Sequence, residues 1–436
     1  MDRIILHSQR SSPLSLSVKD LISESLTEMC PQPAEVSRNW LQALCGVLCL
    51  AAAVSLIGCD KNGGGSHEGS QSYAESSQTG RFIINPQYDA AGRFSEGSAA
   101  VETDVFEGGW SLIDREGKIT KSLRSLNLFA IRPFQEEMAA VGHNDEPKME
   151  EIAPGLKLPV SESSWGFIDK LGDMVVAPQF DRVVSFSEGR AEVRIGDEKT
   201  GKWGYIDKQG KIVITPRFDS EGMFREGLAR VRHGDDVNGK WGYIGYDGNE
   251  AINAQFSQAE NFSEGLAAVR IGDEGTGKWG YITREGKIAI NPQFGSAREF
   301  SEGRAAVRVG DKDSGGWGYI GKNGQMTINP QFSSEENFSE GLAAVRIGEK
   351  ETGKWGYIDA TGKMVINPQF DEARKFAEGL AAIRATIKGI VAWGYINKQG
   401  AVVVDPQFSV AESFSEDRAA VRIGDEKSGK WGYISR

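Results

Sequence analysis

Short apolar runs separated by polar, Gly-containing turns fill the chain from about residue 81 to its end. Residues 203–240 are typical, with the runs WGYI, KIVI and LARVR separated by the polar segments KQG, PRFD and REG. Short runs of β-branched and aromatic residues bounded by turn residues are typical of β-strands. No window of this region has a sustained helical period. The pattern therefore predicts an all-β class.

The runs belong to a repeat with a fixed step of 38 residues. Trp-Gly pairs begin at residues 165, 203, 241, 279, 317, 355, 393 and 431, and a divergent ninth copy, WSLID, begins at Trp110. The strands are apolar on both faces, so we expect each unit to bury its core against its neighbours. The Gly beside each Trp is expected to leave room for an aromatic ring or the backbone of the adjacent unit.

Turn residues divide each unit into three predicted strands. The Gly-containing segment between Ile206 and Lys211 predicts a hairpin. Asn-Pro-Gln-Phe, as at 291–294, is expected to end the second strand, because Pro cannot donate to a ladder. Phe-Ser-Glu-Gly, as at 262–265, then turns the chain into the third strand, LAAVRI.

The ends of the repeat region favour a closed, β-propeller-like ring over an open β-solenoid. Residues 81–88 hold a second strand without its Trp-Gly partner, and residues 431–436 hold a Trp-Gly strand without its second strand. Pairing the two completes one unit and removes an exposed edge. A solenoid needs polar capping repeats instead, although nine units exceed the roughly four to eight blades usual in propellers.

The recurring segments KWGYID, NPQF and FSEGLAAVR resemble the WG (KWG) repeat of bacterial proteins over about residues 81–436. Only the second unit departs seriously from that pattern. The resemblance implies a propeller-like β-repeat domain of a kind often found in exported or surface proteins. It implies no enzyme activity and no agreed ligand.

One long apolar stretch, residues 41–58, precedes the repeats. Its end, Leu56 to Cys59, resembles the lipobox of bacterial lipoproteins, in which the Cys becomes the lipid-attached first residue of the mature chain. This resemblance makes Cys59 the lipid attachment site and residues 1–59 an amino-terminal lead and lipoprotein signal. The alternative is an uncleaved single-pass anchor, because 18 apolar residues reach the lower bound for spanning a membrane.

The 40 residues before the apolar stretch are long for a signal, and Met29 is an alternative start that gives a compact leader. Residues 60–80 are rich in Gly, Ser and polar side chains, which predicts a flexible linker. Both forms of the amino-terminal segment tether the repeat domain, 81–436, to a membrane. We therefore expect the protein in the cell envelope, with its repeats facing the periplasm or exterior.

Charge and composition exclude several classes of site. The formal charge of −11 argues against nucleic acid as a partner, because phosphate binding needs a basic face. The four His are far apart and the four Cys all precede residue 60. Zinc sites, Cys–His nucleophile pairs and disulfide scaffolds are therefore not expected in the repeats, and we predict no metal and no cofactor.

Charged residues recur at fixed positions of the repeat. Glu occurs in the FSEG turn at Glu96, Glu136, Glu188, Glu226, Glu264, Glu302, Glu340, Glu378 and Glu416. Arg occurs in the third predicted strand at Arg194, Arg232, Arg270, Arg308, Arg346, Arg384 and Arg422. These side chains either line a channel that grips a charged ligand or form local ion pairs and hydrogen bonds at each turn. The second interpretation is favoured, because a residue present in nearly every copy serves what every copy shares.

Two further chemistries are weakly indicated. A pair of carboxylates about 5–10 Å apart would suit a glycoside hydrolase, but nothing in the sequence breaks the symmetry of the ring to set one carboxylate apart from its siblings. The acidic loops at 197–201 and 311–315 resemble calcium ligands, but their spacing differs from that of an EF-hand and each contains a Lys. We expect these loops to be hairpin connections.

The second unit carries the main asymmetry, an insertion around residues 143–164. Long insertions in repeats project from one face and often carry specificity, while long surface loops are also cheap to tolerate. The candidate binding residues in this loop are His143, Asn144, Asp145, Glu146, Lys148, Glu150 and Glu151.

These observations favour a membrane-tethered, non-catalytic scaffold that recognises a protein, peptide or glycan of the envelope. No catalytic residue is predicted, because His and Cys nucleophile machinery is missing and the recurring polar residues look structural. A carboxylate-based hydrolase of envelope polymers and a purely structural envelope protein are the alternatives.

Overall fold

The computed structural model describes residues 80–436, except for 104–108, 145–147, 154–155, 161–162, 198, 236, 274, 311–314, 350–351, 388 and 426. The apolar stretch at 41–58, Cys59 and the polar stretch at 60–79 therefore lie outside the described residues. Within the part that is described, no helix has the length and apolar character needed to span a bilayer.

The chain forms nine four-stranded antiparallel sheets, which we number as blades 1 to 9. The first strands are Ala90–Ala91, Leu128–Ile131, Arg182–Val183, Phe224–Arg225, Gln258–Ala259, Ser296–Ala297, Ser334–Glu335, Glu372–Ala373 and Val410–Ala411. The second strands are Ala99–Glu102, Met138–Asn144, Ala191–Ile195, Leu228–His233, Leu266–Ile271, Arg304–Val309, Leu342–Ile347, Leu380–Ile387 and Arg418–Ile423. The third strands are Trp110–Ile113, Ser163–Asp169, Lys202–Ile206, Lys240–Ile244, Lys278–Thr283, Gly316–Gly321, Lys354–Asp359, Ile390–Asn397 and Lys430–Ser435. The fourth strands are Ile119–Ser122, Met174–Phe180, Ile212–Phe218, Glu250–Phe256, Ile288–Phe294, Met326–Phe332, Met364–Phe370, Val402–Phe408 and, in blade 9, Phe82–Tyr88.

The three predicted strands are present, but the unit of folding differs from the unit of sequence. The LAAVR run is the second strand of a blade, WGYI the third and the KIVI run the fourth, and a short first strand precedes them. The prediction that Asn-Pro-Gln-Phe ends a strand is wrong. In blade 5 the strand continues through Pro292 to Phe294, with a register shift between its pairs with Trp279 and Tyr281. Pro is tolerated there because this strand is a sheet edge and the bulge leaves its nitrogen outside the ladder.

The Gly of each Trp-Gly pair is required by backbone within its own blade. A Cβ on Gly280 would lie 2.5 Å from the Ile290 carbonyl oxygen and 2.7 Å from the Pro292 nitrogen. Both atoms belong to the bulged fourth strand, so the predicted close approach exists but comes from the same blade rather than the adjacent unit.

Core residues lie between blades, as expected for strands that are apolar on both faces. The cluster between blades 5 and 6 joins Ala268 and Tyr281 of one blade to Phe300, Val307 and Ile320 of the next. The Tyr281 and Phe300 rings meet edge to face with centroids 5.0 Å apart, a favoured aromatic geometry. Equivalent clusters lie at all nine blade interfaces, including the interface between blades 9 and 1.

The ring closes as the ends of the repeat region predict. Phe82–Tyr88 pairs antiparallel with Lys430–Ser435 and completes blade 9. The Tyr433 hydroxyl donates to the Gly92 carbonyl in blade 1 at 2.6 Å, as other Tyr residues of WGYI donate to the next blade. The all-β, ring-forming prediction is therefore confirmed as a nine-bladed propeller.

The insertion of blade 2 is a hairpin rather than the predicted loop. The strands Lys148–Ala153 and Leu156–Val160 pair antiparallel, and in the sequence they lie between the second and third strands of the blade. A single turn of 3₁₀-helix, Arg124–Leu126, connects blades 1 and 2 in place of the missing Asn-Pro-Gln-Phe segment.

Candidate binding site at blades 2 to 4

The recurring Glu residues connect the blades to one another. The Glu264 carboxylate accepts a hydrogen bond from the Gly303 N–H of the next blade at 3.0 Å. All nine make the equivalent contact, and Glu416 of blade 9 closes the cycle by accepting from Gly97 of blade 1 at 2.9 Å. The structural interpretation of these residues is supported, but the bonds join neighbouring blades and are not local to one turn.

These contacts shift the acidity of several members of the ring. Burial alone would raise the pKa of Glu340, but hydrogen bonds from Lys398 and Gly379, with the charge of Lys398, bring that pKa below its ordinary value. The Lys398 ammonium lies 3.1 Å from the Glu340 carboxylate. The pKa of Glu416 is lowered in the same way, by hydrogen bonds from Arg115 and Gly97 and by the charge of Arg115, so a cation in this position stabilises the ionised form.

Three of the recurring Arg residues, Arg232, Arg308 and Arg346, pack on the Trp rings of their own blades. Each Arg is the direct cross-strand partner of a Trp, and the Arg346 guanidinium lies 5.8 Å from the centroid of Trp355. In blade 5 the Arg270 Nε–H donates to the Gly277 carbonyl at 3.3 Å. These contacts stabilise the hairpin between the second and third strands and give the Arg residues a structural role.

The acidic loop at 197–201 is a hairpin connection stabilised from within. The Asp197 carboxylate accepts from the N–H groups of Lys199 and Thr200 and from the Thr200 hydroxyl, each at 2.8 Å. Those oxygens are therefore already used by the turn. Among the residues that the structure describes, no cluster of three His, Cys, Asp or Glu side chains has the geometry of a metal site.

The structure places the predicted insertion residues unevenly. His143 and Asn144 end the second strand of blade 2, where the Asn144 carbonyl accepts from the Asn127 side chain at 2.9 Å. Lys148, Glu150 and Glu151 lie on the inserted hairpin. Asp145, Glu146 and Cys59 fall outside the described residues.

A cavity of about 670 Å³ lies where this insertion returns to the ring. Its lining includes Arg132 of blade 2, Val184 of blade 3, Gly222 of blade 4 and Asn261 of blade 5. Neighbouring blades converge only toward the inner side of a propeller, so a cavity bordered by four consecutive blades lies on that side. Ser163, at the end of the inserted segment, also lines it.

Glu192 is the most unusual group in this cavity. It is only 2% exposed, and neither carboxylate oxygen has a hydrogen-bond partner within the described part of the chain. Burial, reinforced by the charge of Glu221, raises the pKa of Glu192 to about 8, although Arg230, the Gly222 N–H and Arg132 oppose that shift. Glu192 is therefore mostly protonated and neutral at pH 7.

Arginines from three consecutive blades line the cavity together with Glu192. Arg132 is half-buried and lies over the Trp165 ring at 5.1 Å, and burial lowers its pKa. Arg182 is exposed at the start of the first strand of blade 3. Arg230 donates to the Glu260 carboxylate at 3.0 Å and to the Ala259 carbonyl at 2.7 Å.

Two adjoining cavities, of about 580 and 560 Å³, extend this site. One is bordered by Ser164 and Gln179, the other by Lys199 and Arg232. Arg182 lines all three cavities, so they form one polar cleft that crosses blades 2 to 4.

The sequence contains a signal for this site that repeat counting overlooked. Glu192 and Arg230 each face an interior Tyr across the sheet, a position that is Ala in the equivalent strands of blades 5 to 9. An ionisable residue in an otherwise apolar, buried register marks a site. The expectation that nothing sets one carboxylate apart from its siblings is therefore wrong, because Glu192 is buried without a hydrogen-bond partner among the described residues.

Several solved structures are similar to this one at low sequence identity. A eukaryotic initiation factor is 11% identical with a TM-score of 0.51, and the match covers 79% of this chain and 92% of that one. The dipeptidyl peptidase 4 of Porphyromonas gingivalis is 11% identical, with a TM-score of 0.42 and coverages of 80% and 65%. The β-propeller domain of the Trilobed protease from Pyrococcus furiosus is 10% identical, with a TM-score of 0.36 and coverages of 65% and 98%.

No curated protein matches the sequence. The WG-containing repeat family does, over residues 77–104, 165–198, 203–235, 241–274, 279–312, 317–350, 355–385 and 393–431. These segments amount to more than half of the chain. They include the Trp of every repeat except the divergent one at Trp110. The chain therefore belongs to the family of WG-containing repeat proteins.

Proposed function

We propose that this protein is a non-catalytic binding scaffold, tethered to a membrane through Cys59, whose ring recognises a protein, peptide or glycan of the cell envelope at the cleft of blades 2 to 4. One observation carries the site. The repeated charged residues hold neighbouring blades or strands together, whereas Arg182, Glu192 and Arg230 depart from the repeat and meet Arg132 in one cavity.

The environment of Glu192 supports the proposal of binding rather than catalysis. Both of its oxygens are shielded from solvent. A general acid must place its proton within hydrogen-bond reach of the bond that breaks. Among the exposed groups of the cleft, Arg182 can hold a ligand but does not transfer protons.

The binding function is tested with arrays of envelope peptides and glycans, probed with the full chain and with an Arg182→Gln variant. Arg374→Gln is the control, because it removes an arginine of blade 8 that does not line the cleft. We expect array signals that Arg182→Gln loses and Arg374→Gln keeps. Absence of any signal, or signals that both variants keep, would contradict the proposed site.

The tether is tested separately by palmitate labelling in the presence and absence of globomycin. We expect the wild-type chain to carry label on a mature chain that starts at Cys59, and Cys59→Ser to carry none. An uncleaved, unlabelled chain would contradict the lipoprotein proposal and favour the single-pass anchor.

A carboxylate-based hydrolase is a second candidate, favoured by the presence of Glu192 and Glu221 in one cavity. A pair of carboxyl groups with separated pKa values is the usual equipment of a glycosidase. If this candidate is right, Glu192→Gln and Glu221→Gln each abolish turnover of an envelope glycan, and Glu336→Gln, in blade 7, does not.

A further inference from the structure

The cleft of blades 2 to 4 carries both signs of charge along its whole length. Arg182 borders all three cavities, and each cavity also has exposed carboxylates on its lining. Asp181 and Glu221 border the first cavity, Asp197 joins Asp181 in the second, and Asp235 joins Glu221 in the third. A ligand with a net charge of either sign would meet groups of its own sign here, which is unfavourable. The lining therefore favours an uncharged ligand.

The exposed groups of the cleft offer hydrogen-bond donors and acceptors side by side. Arg182 donates, Glu221 accepts, and the Gln179 amide and the Ser163 hydroxyl do both. A sugar hydroxyl suits such a lining, because it donates one hydrogen bond and has two acceptor lone pairs. Cavities of about 670, 580 and 560 Å³ that share Arg182 leave room for a chain of several units.

Blade 2 supplies an exposed aromatic ring beside this cleft. Phe129 is 40% exposed, and within the described part of the chain Tyr246 is the only other aromatic residue in the exposed class. The Phe129 ring meets the Trp165 ring edge to face, with centroids 5.4 Å apart. Trp165 is partly exposed and lines the cavity of about 670 Å³. The two rings therefore form an aromatic surface at one side of the cleft.

The sequence of blade 2 makes room for the Phe129 ring. In blades 3 to 9 the residue opposite the Trp is Arg, whereas Gly142 is opposite Trp165. A Cβ on Gly142 would lie 2.4 Å from Cζ of Phe129, so a larger residue would displace the ring. The face of an aromatic ring is electron-rich and attracts the C–H groups of a pyranose. This departure from the repeat therefore gives the cleft a surface on which a sugar can stack.

We propose that the cleft of blades 2 to 4 binds an uncharged oligosaccharide, with one sugar ring stacked on Phe129 and the hydroxyls of the chain hydrogen-bonded by Arg182, Glu221 and Gln179. This inference rests on the proposed function and names the ligand class of the same site.

The test is fluorescence anisotropy with the detergent-solubilised full chain and labelled tetrasaccharides. Cellotetraose and N-acetylchitotetraose are the neutral probes. The deacetylated chitosan tetramer is the basic probe, tetragalacturonate the acidic probe, and a Gly-Ser peptide the neutral peptide probe. We expect the neutral sugars to bind most tightly, with affinities that hardly change between about 0.05 and 0.5 M salt, because screening acts on charged partners.

Two substitutions at Phe129 separate stacking from simple packing. Phe129→Leu keeps an apolar side chain but has no ring face, so we expect it to weaken binding of the neutral sugars roughly tenfold, whereas Phe129→Trp should retain it. Tyr246→Leu is the matched control, because Tyr246 is 45% exposed and lines none of the three cavities. It should bind as the wild-type chain does, and a melting curve verifies that each variant folds.

Several outcomes overturn the inference. Tighter binding of a charged tetrasaccharide or of the peptide, an unchanged affinity in Phe129→Leu, or an equal loss in Phe129→Trp would each do so. Absence of binding by every probe would overturn it as well. The proposed function still stands if the arrays give signals that Arg182→Gln loses, and it falls with the inference if the arrays are blank.

Discussion

At Glu192 a single ionisable side chain stands where the corresponding strands of blades 5 to 9 have Ala. That position faces the next blade, so the carboxyl group is buried at an interface that elsewhere is packed by apolar atoms. The native state holds the acid in its neutral form, and the unfolded chain does not. Stability therefore depends on pH through this one residue.

The folded pKa of Glu192 is raised from 4.5 to about 8, so the native state binds a proton that the unfolded state releases in this range. The stabilisation is complete below about pH 4.5 and is lost by about pH 8, at about 1.4 kcal/mol per pH unit. In Glu192→Gln the free energy of unfolding should lack this decrease with pH. We expect its melting temperature to exceed that of the wild-type chain by more at pH 8 than at pH 5.5, and an equal difference at both pH values would contradict the assignment.

The Gly of a Trp-Gly pair gives a second prediction at this scale. In Gly280→Ala the new Cβ meets backbone atoms at 2.5 Å, whereas Gly275, in the same blade, has open space around it. We expect Gly280→Ala to destabilise the protein by about 1–3 kcal/mol or more, as for other overpacked sites. Gly275→Ala is the control and should melt with the wild-type chain; similar melting temperatures for the two variants would show that the bulge relaxes freely.

Among the elements, the FSEG turn combines an unfavourable backbone with an inter-blade contact. Glu264 has a φ of 54° and Gly265 a φ of 86°, a two-residue hairpin turn in which Gly or Asn is usual at both positions. Glu costs some backbone strain there. Its carboxylate offsets that cost by accepting the N–H of the next blade, which a Gly or an Asn side chain is too short to do.

Acid conditions should weaken these turns. The folded pKa of Glu340 is below its ordinary value, so its stabilisation is present above about pH 4.5 and is lost as pH falls through the folded pKa. Glu340→Gln should lower the stability at pH 7 by about 1 kcal/mol, and the difference from wild type should shrink below pH 4. Glu349→Gln, exposed on a hairpin of the same blade, is the control for thermal melting at both pH values; a constant difference across pH would argue against the carboxylate contact.

The elements also show what sequence reasoning captures. Turn residues and apolar runs located three of the four strands of a blade and the ring closure, because those signals are repeated and local. The two-residue first strand, such as Gln258–Ala259, was missed because it has no apolar run of its own. The cleft was missed because its lining residues come from several blades. Which of them lie close together depends on the closed ring and cannot be seen in the sequence of one repeat.

For the molecule as a whole, the closure in blade 9 differs from every other contact, because its fourth strand comes from the opposite end of the repeat region. Phe82–Tyr88 supplies Ile84 and Tyr88 to the core between blades 9 and 1. Without that strand, the third strand of blade 9 becomes an exposed edge.

Deleting residues 81–88 from the full chain should therefore destabilise all blades rather than one, because each blade is stabilised by two neighbours. We expect a lower melting temperature, a larger radius of gyration by small-angle scattering and a tendency to aggregate. Deleting eight residues of the polar stretch, 65–72, is the matched control and should change none of these. A propeller that melts normally after losing residues 81–88 would contradict the closure.

The cleft of blades 2 to 4 has a consequence for assembly. If all nine blades were equivalent, a partner could bind the ring in nine equivalent orientations. A ligand that contacted only the residues shared by all blades would bind in several copies. Arg132, Arg182, Arg230 and Glu192 occur together once around the ring, so they distinguish one rotational position of the ring from the other eight. A partner that uses them binds as one copy per ring and in one orientation, which an isothermal titration measures directly as a molar ratio of one.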